Sequence, residues 1–398
     1  VEFSRRTQWD LAETPWARQL ARMRASGIKL LDLTASNPTR CGFVYGQASG
    51  GPSILAPLLD PQALDYDPNP RGSLRARKAV CEYYREQGAS LDPEHLILTT
   101  GTSEGYSFLF RLLCDPGDEV LIAQPSYPLV DFLAQLDDVR LAPYKLFYDH
   151  GWQIDLADLE ERISSRTRVI AVVHPNNPTG HFTRPLERAA LERVCREHGL
   201  ALIVDEVFLD YGWTDSGASF AQGSHKVLTF VLSGLSKIAA LPQMKAAWIA
   251  CFGPPAELAA ALERLEVISD TFLSMNAPVE CALGEWLRDR DLLRRQIGTR
   301  VERNLALLDG LLDRQKMVTR LAAEAGWYAI LRIPAIEEDE QTALRLLTGA
   351  RTVVHPGYFF GFPGAGWLVI SLLPREEEFA EGAAAVLNYF QGEHVEPK

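Results

Sequence analysis

The run Val227-Leu228-Thr229-Phe230-Val231-Leu232 leads into Ser233-Gly234-Leu235-Ser236-Lys237, with Lys245 eight residues further on. A mostly apolar run of this length reads as a buried strand, so Lys237 is predicted at a strand's end. A lysine there is costly unless its charge is shifted or its amine is used. A desolvated amine of lowered pKa is the nucleophile that forms a Schiff base with an aldehyde. A lysine with a buried stem and a solvated head fits the pentapeptide equally well. The rest of the chain decides between them.

Upstream of this stretch, runs of the same kind recur at Leu96–Thr100, Glu119–Ala123, Val169–Val173 and Leu200–Val204, and Ala246–Cys251 follows it. Helical stretches separate several of them; Pro185–His198 has proline in its first turn and Gly199 just past its end. Short apolar runs alternating with helices predict an α/β fold with a mostly parallel sheet sandwiched by helices. Beyond Ala256 the chain turns to long helical stretches through Leu283–Leu312. It then reaches strand segments at Gly326–Ile333, Arg351–Val354 and Trp367–Leu372. At the other end, Leu11, Trp16, Leu20 and Met23 keep helical spacing up to Gly27, and Leu30–Leu33 reads as a short strand. A smaller α/β domain drawn from both termini is predicted: 1–50 and 286–398, around a large domain of 51–285.

The 398 residues are 47% hydrophobic and 23% charged, which is ordinary for a globular chain. A formal net charge of -12 argues against nucleic acid, whose binders need a basic face. No segment approaches the roughly 20 apolar residues that cross a bilayer, and the start VEFSRRTQWDLAETPW lacks the apolar core of a secretory signal. The six cysteines are scattered, without metal-ligand spacing. The expectation is a cytoplasmic protein with reduced thiols, no metal, no nucleic acid and no membrane.

In such sheets the loops leaving the carboxyl ends of strands build the site, and four of them, besides the lysine's own, carry unusual residues. Gly101-Thr102-Ser103 opens a helix, as a phosphate cradle or only a cap. Pro125-Ser126-Tyr127-Pro128 holds an aromatic between prolines, rigid enough to stack on a flat ring. His174-Pro175-Asn176-Asn177-Pro178-Thr179-Gly180 puts an amide where the sheet opens, or is a turn. Asp205-Glu206 ends a strand, with Asp205 predicted the more buried, and needs a cation or donors. One molecule satisfies these loops and the lysine: pyridoxal 5′-phosphate, with an aldehyde for Lys237, a phosphate for Thr102, Ser103, Ser236 and Lys245, and a ring for Tyr127, Asp205 and Asn177.

The order TxGTSEG, PSYP, NNPTG, DEVF and SGLSK-(x7)-K over residues 99–245 resembles the class I/II aminotransferases of the aspartate-aminotransferase fold. The resemblance implies that Lys237 bonds the cofactor and shuttles the Cα proton, and that Asp205 keeps the pyridine nitrogen protonated. It implies that Asn177 donates to the ring oxygen, that Tyr127 stacks, and that Thr102, Ser103, Ser236 and Lys245 hold the phosphate. Tyr66, in Tyr66-Asp67-Pro68-Asn69-Pro70-Arg71-Gly72, matches a tyrosine that reaches a partner's phosphate, which implies a homodimer. The activity implied is transfer of an amino group from an amino donor to a keto acid acceptor.

Three positions depart from the family's pattern. Lys245 stands where arginine is usual, which keeps charge and loses the bidentate fork. Phe208 stands where a tyrosine gives the ring oxygen its second donor; Tyr211 is the nearby candidate to replace it. Val369, in Trp367-Leu368-Val369-Ile370-Ser371, stands where an arginine clamps the substrate carboxylate. Candidate substrate contacts are therefore Asn37, Arg40, Val369 and Arg375. A lyase or cyclising enzyme using the same cofactor, or a non-catalytic binder of it, stays open at this point.

Overall fold

The computed structural model describes residues 1–46, 53–213 and 217–392. In chain order the strands are β1 Leu31–Asp32, β2 Leu96–Thr99, β3 Glu119–Gln124, β4 Arg140–Tyr148, β5 Trp152–Ile154, β6 Thr167–Val173 and β7 Ala201–Asp205. They continue as β8 Thr229–Gly234, β9 Ala247–Phe252, β10 Thr319–Arg320, β11 Tyr328–Arg332, β12 Thr352–Val353, β13 His355–Pro356 and β14 Trp367–Ser371. Eight of them build the large sheet, ordered β2-β9-β8-β7-β6-β3-β4-β5. β8, β7, β6, β3 and β4 are mutually parallel. β9 runs against β8, and β2 against β9, so β2 shares the common direction.

Both faces of the central strands are apolar, as a sheet covered on both sides requires. Ile170, Val172, Leu202, Val204 and Val231 pack on one face, beneath helices Leu74–Glu86, Pro185–His198 and Ala277–Arg288. Their neighbours Val169, Ala171, Ala201, Ile203, Phe230 and Leu232 pack on the other, against Thr102–Leu113, Leu129–Leu136 and Pro255–Phe272. The α/β sandwich expected from the strand runs is the fold observed.

A second, antiparallel sheet has the order β10-β11-β14-β13. β1 pairs in parallel with β12, and the Ser371 N–H donates to the Leu33 carbonyl, so the two ends of the chain meet here. Leu20 and Met23 of helix Pro15–Ala25 pack against Leu347 of helix Asp339–Ala350. That first helix starts later than the apolar spacing suggested. Thr14 caps it, accepting from the Ala17 N–H with Pro15 behind, and Leu11 is left outside and exposed. The predicted boundary at 50/51 lies outside the described residues. The one at 285/286 falls within helix Ala277–Arg288, just ahead of the break at Asp289-Arg290 that starts helix Asp291–Leu312.

Asn304, fully buried in that long helix, donates 2.9 Å to the Leu372 carbonyl and 2.8 Å to the Pro374 carbonyl. Replacing it by alanine strands the buried Leu372 carbonyl and takes one of two donors from the Pro374 carbonyl, which keeps Arg300. Asn304→Ala is expected to lower the unfolding free energy by about 2–3 kcal/mol in a denaturant titration.

Candidate active site

The five loops converge because the parallel strands end on one edge. β8 closes at Gly234, and Lys237 sits in the helical turn Leu235–Ile238 that follows. Gly234 is pressed against β9: a Cβ there would lie 2.7 Å from the Ala247 Cβ and 2.9 Å from the Ala246 carbonyl. The turn is anchored by the Leu235 N–H on that same Ala246 carbonyl, at 2.9 Å, and by the Tyr211 hydroxyl on the Lys237 carbonyl, at 2.8 Å. Tyr211 is therefore committed to the backbone and does not replace the donor missing at Phe208. Burial pushes the Lys237 amine down to about 8, against the opposing pull of the Asp205 charge.

Asp205 ends β7, the strand beside β8. One carboxylate oxygen takes the Val207 N–H at 3.1 Å, and the Tyr106 phenol lies alongside. Burial raises this carboxyl to about 6, with Val207, Tyr106 and Lys237 pulling it back. Asp205 is 8% exposed and Glu206 only 1%, the reverse of the order expected from the sequence. Glu206 points into the fold, where it accepts from the Ser219 hydroxyl at 2.7 Å and the Phe220 N–H at 2.6 Å. Asp205 is the carboxylate that faces the lysine. Among the described residues it forms no ion pair, so it is open to a cationic N–H.

The helix Thr102–Leu113 has Gly101 as its N-cap and no side-chain cap, so the cap reading of Thr102 and Ser103 is set aside. Among the described residues the Thr102 and Ser103 amides have no partner and are free for an anion. Lys245 Nζ stands 3.4 Å from where a Cβ on Gly101 would be, which places an ammonium over that helix end. Lys245 reaches it from a left-handed backbone (φ 53°) just before β9. Ser236 is partly buried in the Lys237 turn.

The loop His174–Gly180 is closed on itself. Asn176 accepts from the Thr179 N–H and hydroxyl, and its N–H donates to the His181 carbonyl. Gly180 (φ +68°) has no room for a side chain: a Cβ would lie 2.4 Å from the Ala325 carbonyl. Among the described residues three buried polar atoms of this loop have no partner: His174 Nε2, Asn176 Nδ2 and Asn177 Oδ1. Tyr127 is 43% exposed, its loop fixed by the Ser126 N–H on the Phe360 carbonyl at 2.9 Å. An open helix end under an ammonium, a lowered-pKa amine and a carboxylate without an ion pair among the described residues fit the phosphate, aldehyde and ring N–H of pyridoxal phosphate.

The remaining candidates are dispersed. Val369 is 0% exposed, paired across the sheet with Ile330 and His355, and so offers the site no surface. The Asn37 side chain is used within its own turn, accepting from the Thr39 N–H and hydroxyl. Arg40 and Arg375 are exposed, the latter lying against Gly42. Tyr66 is 86% exposed on a loop that Arg71 pins to Glu94 and Glu266. Sequence reasoning missed Trp327 and Tyr106. Neither sits in a motif, and only the folded chain brings them to Lys237 and Asp205.

Residues 57–386 match the profile of the family described as aminotransferase class I and II, and the chain belongs to that family. It is 28% identical over 388 residues to an alanine aminotransferase of Mycobacterium tuberculosis, covering 94% of this chain and 89% of that one. It is 26% identical over 393 residues to the glutamate-pyruvate aminotransferase of Escherichia coli, covering 96% and 95%. The fold matches an alanine aminotransferase structure from Pyrococcus furiosus with a TM-score of 0.88 at 23% identity, over 98% of this chain and 100% of that one. The protein is a pyridoxal-phosphate-dependent transaminase.

Lys245→Gln removes the ammonium over the helix end and leaves its amides in place. Cofactor affinity is expected to fall about 10- to 100-fold, read by equilibrium dialysis, without loss of fold.

Proposed function

We propose that this transaminase moves the amino group of an amino acid to a keto acid with Lys237 as the amine that bonds the cofactor, working as a homodimer in the cytoplasm. The observation that carries the reading is the pair of neighbouring strand ends. They set a desolvated amine against an unpaired carboxylate. Bound there, pyridoxal phosphate supplies an aldehyde that captures amines and a ring that accepts the electrons of a breaking Cα–H bond.

The chain's own residues supply the rest. Asp205 keeps the ring nitrogen protonated, since a cation beside it removes the cost of its buried charge. Lys237, freed when the donor's amine takes its place, removes the Cα proton and returns it elsewhere. An amine near pH 8 is fitted to both directions of that transfer. Asn177 donates to the ring oxygen and Tyr127 covers the ring. Thr102, Ser103, Ser236 and Lys245 hold the phosphate. Phe208 gives the ring oxygen no second donor.

The amino donors to assay first are alanine and glutamate, for which the relatives are named. With Val369 buried and uncharged, the carboxylate is proposed to meet Arg40 or Arg375; among the described residues neither has an ion pair. Dimerisation is supported by an exposed apolar surface beside Tyr66, with Leu59 83% and Leu64 89% exposed. Six unpaired thiols support a reducing compartment.

Lys237→Ala is expected to stay folded, hold the cofactor without a covalent bond, and lose transamination by at least about 1,000-fold. Residual activity near wild type would show that another lysine does this work. Charging the exposed apolar surface, Leu59→Glu with Leu64→Glu, is expected to give monomers in light scattering and to remove activity with them. Active monomers would contradict the homodimer.

A further inference from the structure

The surroundings of the Lys237 nitrogen are unusual for a lysine. Among the described residues Nζ makes no hydrogen bond and no ion pair. What it touches is a corner of two aromatic rings. Nζ lies 4.9 Å from the Trp327 ring centroid and 5.3 Å from that of Phe208, and the two rings stand at 88° with centroids 5.2 Å apart. An ammonium within about 6 Å of a ring face is attracted by the ring's quadrupole, most strongly for indole and most where water is excluded.

Trp327 is built to stay in place. It is 0% exposed, packs edge-on to Tyr211 at 4.9 Å, and its carbonyl takes the Leu372 N–H at 2.7 Å. Leu372 is in turn held by Asn304 at 2.9 Å. The indole N–H is buried without a partner, so no hydrogen bond explains a tryptophan at this position; its ring face does. Tyr211 buttresses both partners, holding the Lys237 carbonyl at 2.8 Å and packing on the indole.

We propose that Trp327 is the positioning residue of Lys237: its indole face, with Phe208 as the second wall, carries the lysine's ammonium and fixes where the nitrogen rests when it is not bonded to the cofactor. The inference rests on Lys237 being the reactive amine. It gives Phe208 a role as the second wall, one that needs no hydroxyl. The groups that bear on Nζ are few. Burial disfavours its charge, and Asp205, from the end of β7, favours it. Tyr106 faces Asp205, Glu206 points away into the Ser219–Phe220 turn, and the Tyr211 hydroxyl is spent on a carbonyl. The rings are the remaining contribution in favour of the ammonium.

The test is a titration of Lys237 in protein labelled with 13C-lysine and reconstituted with pyridoxamine phosphate, the cofactor form that leaves the lysine unbonded. Lying against an indole face, the Lys237 Cε signal is expected to be displaced by the ring current and to titrate well below the other lysines. In Trp327→Leu the displacement should vanish and the midpoint should fall by about half to one pH unit. Trp327→Phe should lie between the two. A midpoint that is unchanged or rises in folded Trp327→Leu overturns the proposal, since lost packing alone admits water and favours the charge. Lys237→Ala should erase the displaced signal. If the signal survives, another lysine lies against the indole and the proposal fails; a cofactor bond mapped to another lysine would instead overturn the proposed function.

Discussion

A buried amine and a buried carboxylate at the ends of adjacent parallel strands are the constraint on which the rest depends. Each alone costs more than a fold can ordinarily spare, and each shifts its pKa toward neutrality as a result: Lys237 down to about 8, Asp205 up to about 6. The sheet makes the cost tolerable by making both positions unavoidable. β7 and β8 are held in register by Asp205 opposite Leu232, their faces are buried on both sides, and Gly234 is pressed onto β9. On the proposed function, a bound pyridinium and aldehyde would turn the two unpaired groups into partners, so the cofactor would complete the structure as well as the chemistry.

Around that pair the polar groups follow a common pattern: the fold satisfies its loops internally and leaves single groups over. Glu206 pins a loop and Asp205 is spare; Tyr211 braces the lysine's carbonyl and leaves Nζ to the rings. The antiparallel sheet differs in kind. Val369, Ile330 and His355 form one row across the antiparallel sheet, and His355 stacks on Phe359 with Phe360 edge-on. Burial holds the His355 imidazole down to about 4, so this row carries no cation at neutral pH. Substrate choice therefore turns on groups outside that row.

Much of this was legible in the sequence because it is local. Apolar runs of five or six residues, each followed by a polar loop, locate the strands and the edge where the site forms, and the motif spacings put Thr102, Asn177, Asp205 and Lys237 on that edge. What was not legible depends on packing at long range. Which of Asp205 and Glu206 faces the site depends on the Ser219–Phe220 turn, thirteen residues away. Trp327 comes to Lys237 from the bend just before β11, a strand of the other sheet. The start of the first helix depended on the Thr14 cap rather than on the apolar spacing that included Leu11.

The central claim is that Lys237 is the amine bonded to the cofactor. Borohydride reduction of the holoenzyme fixes that bond, and peptide mass spectrometry then locates it. The account predicts one cofactor-derived addition per chain, on the peptide containing Ser236-Lys237. An addition on Lys245 or any other lysine, with Lys237 unmodified, would contradict it.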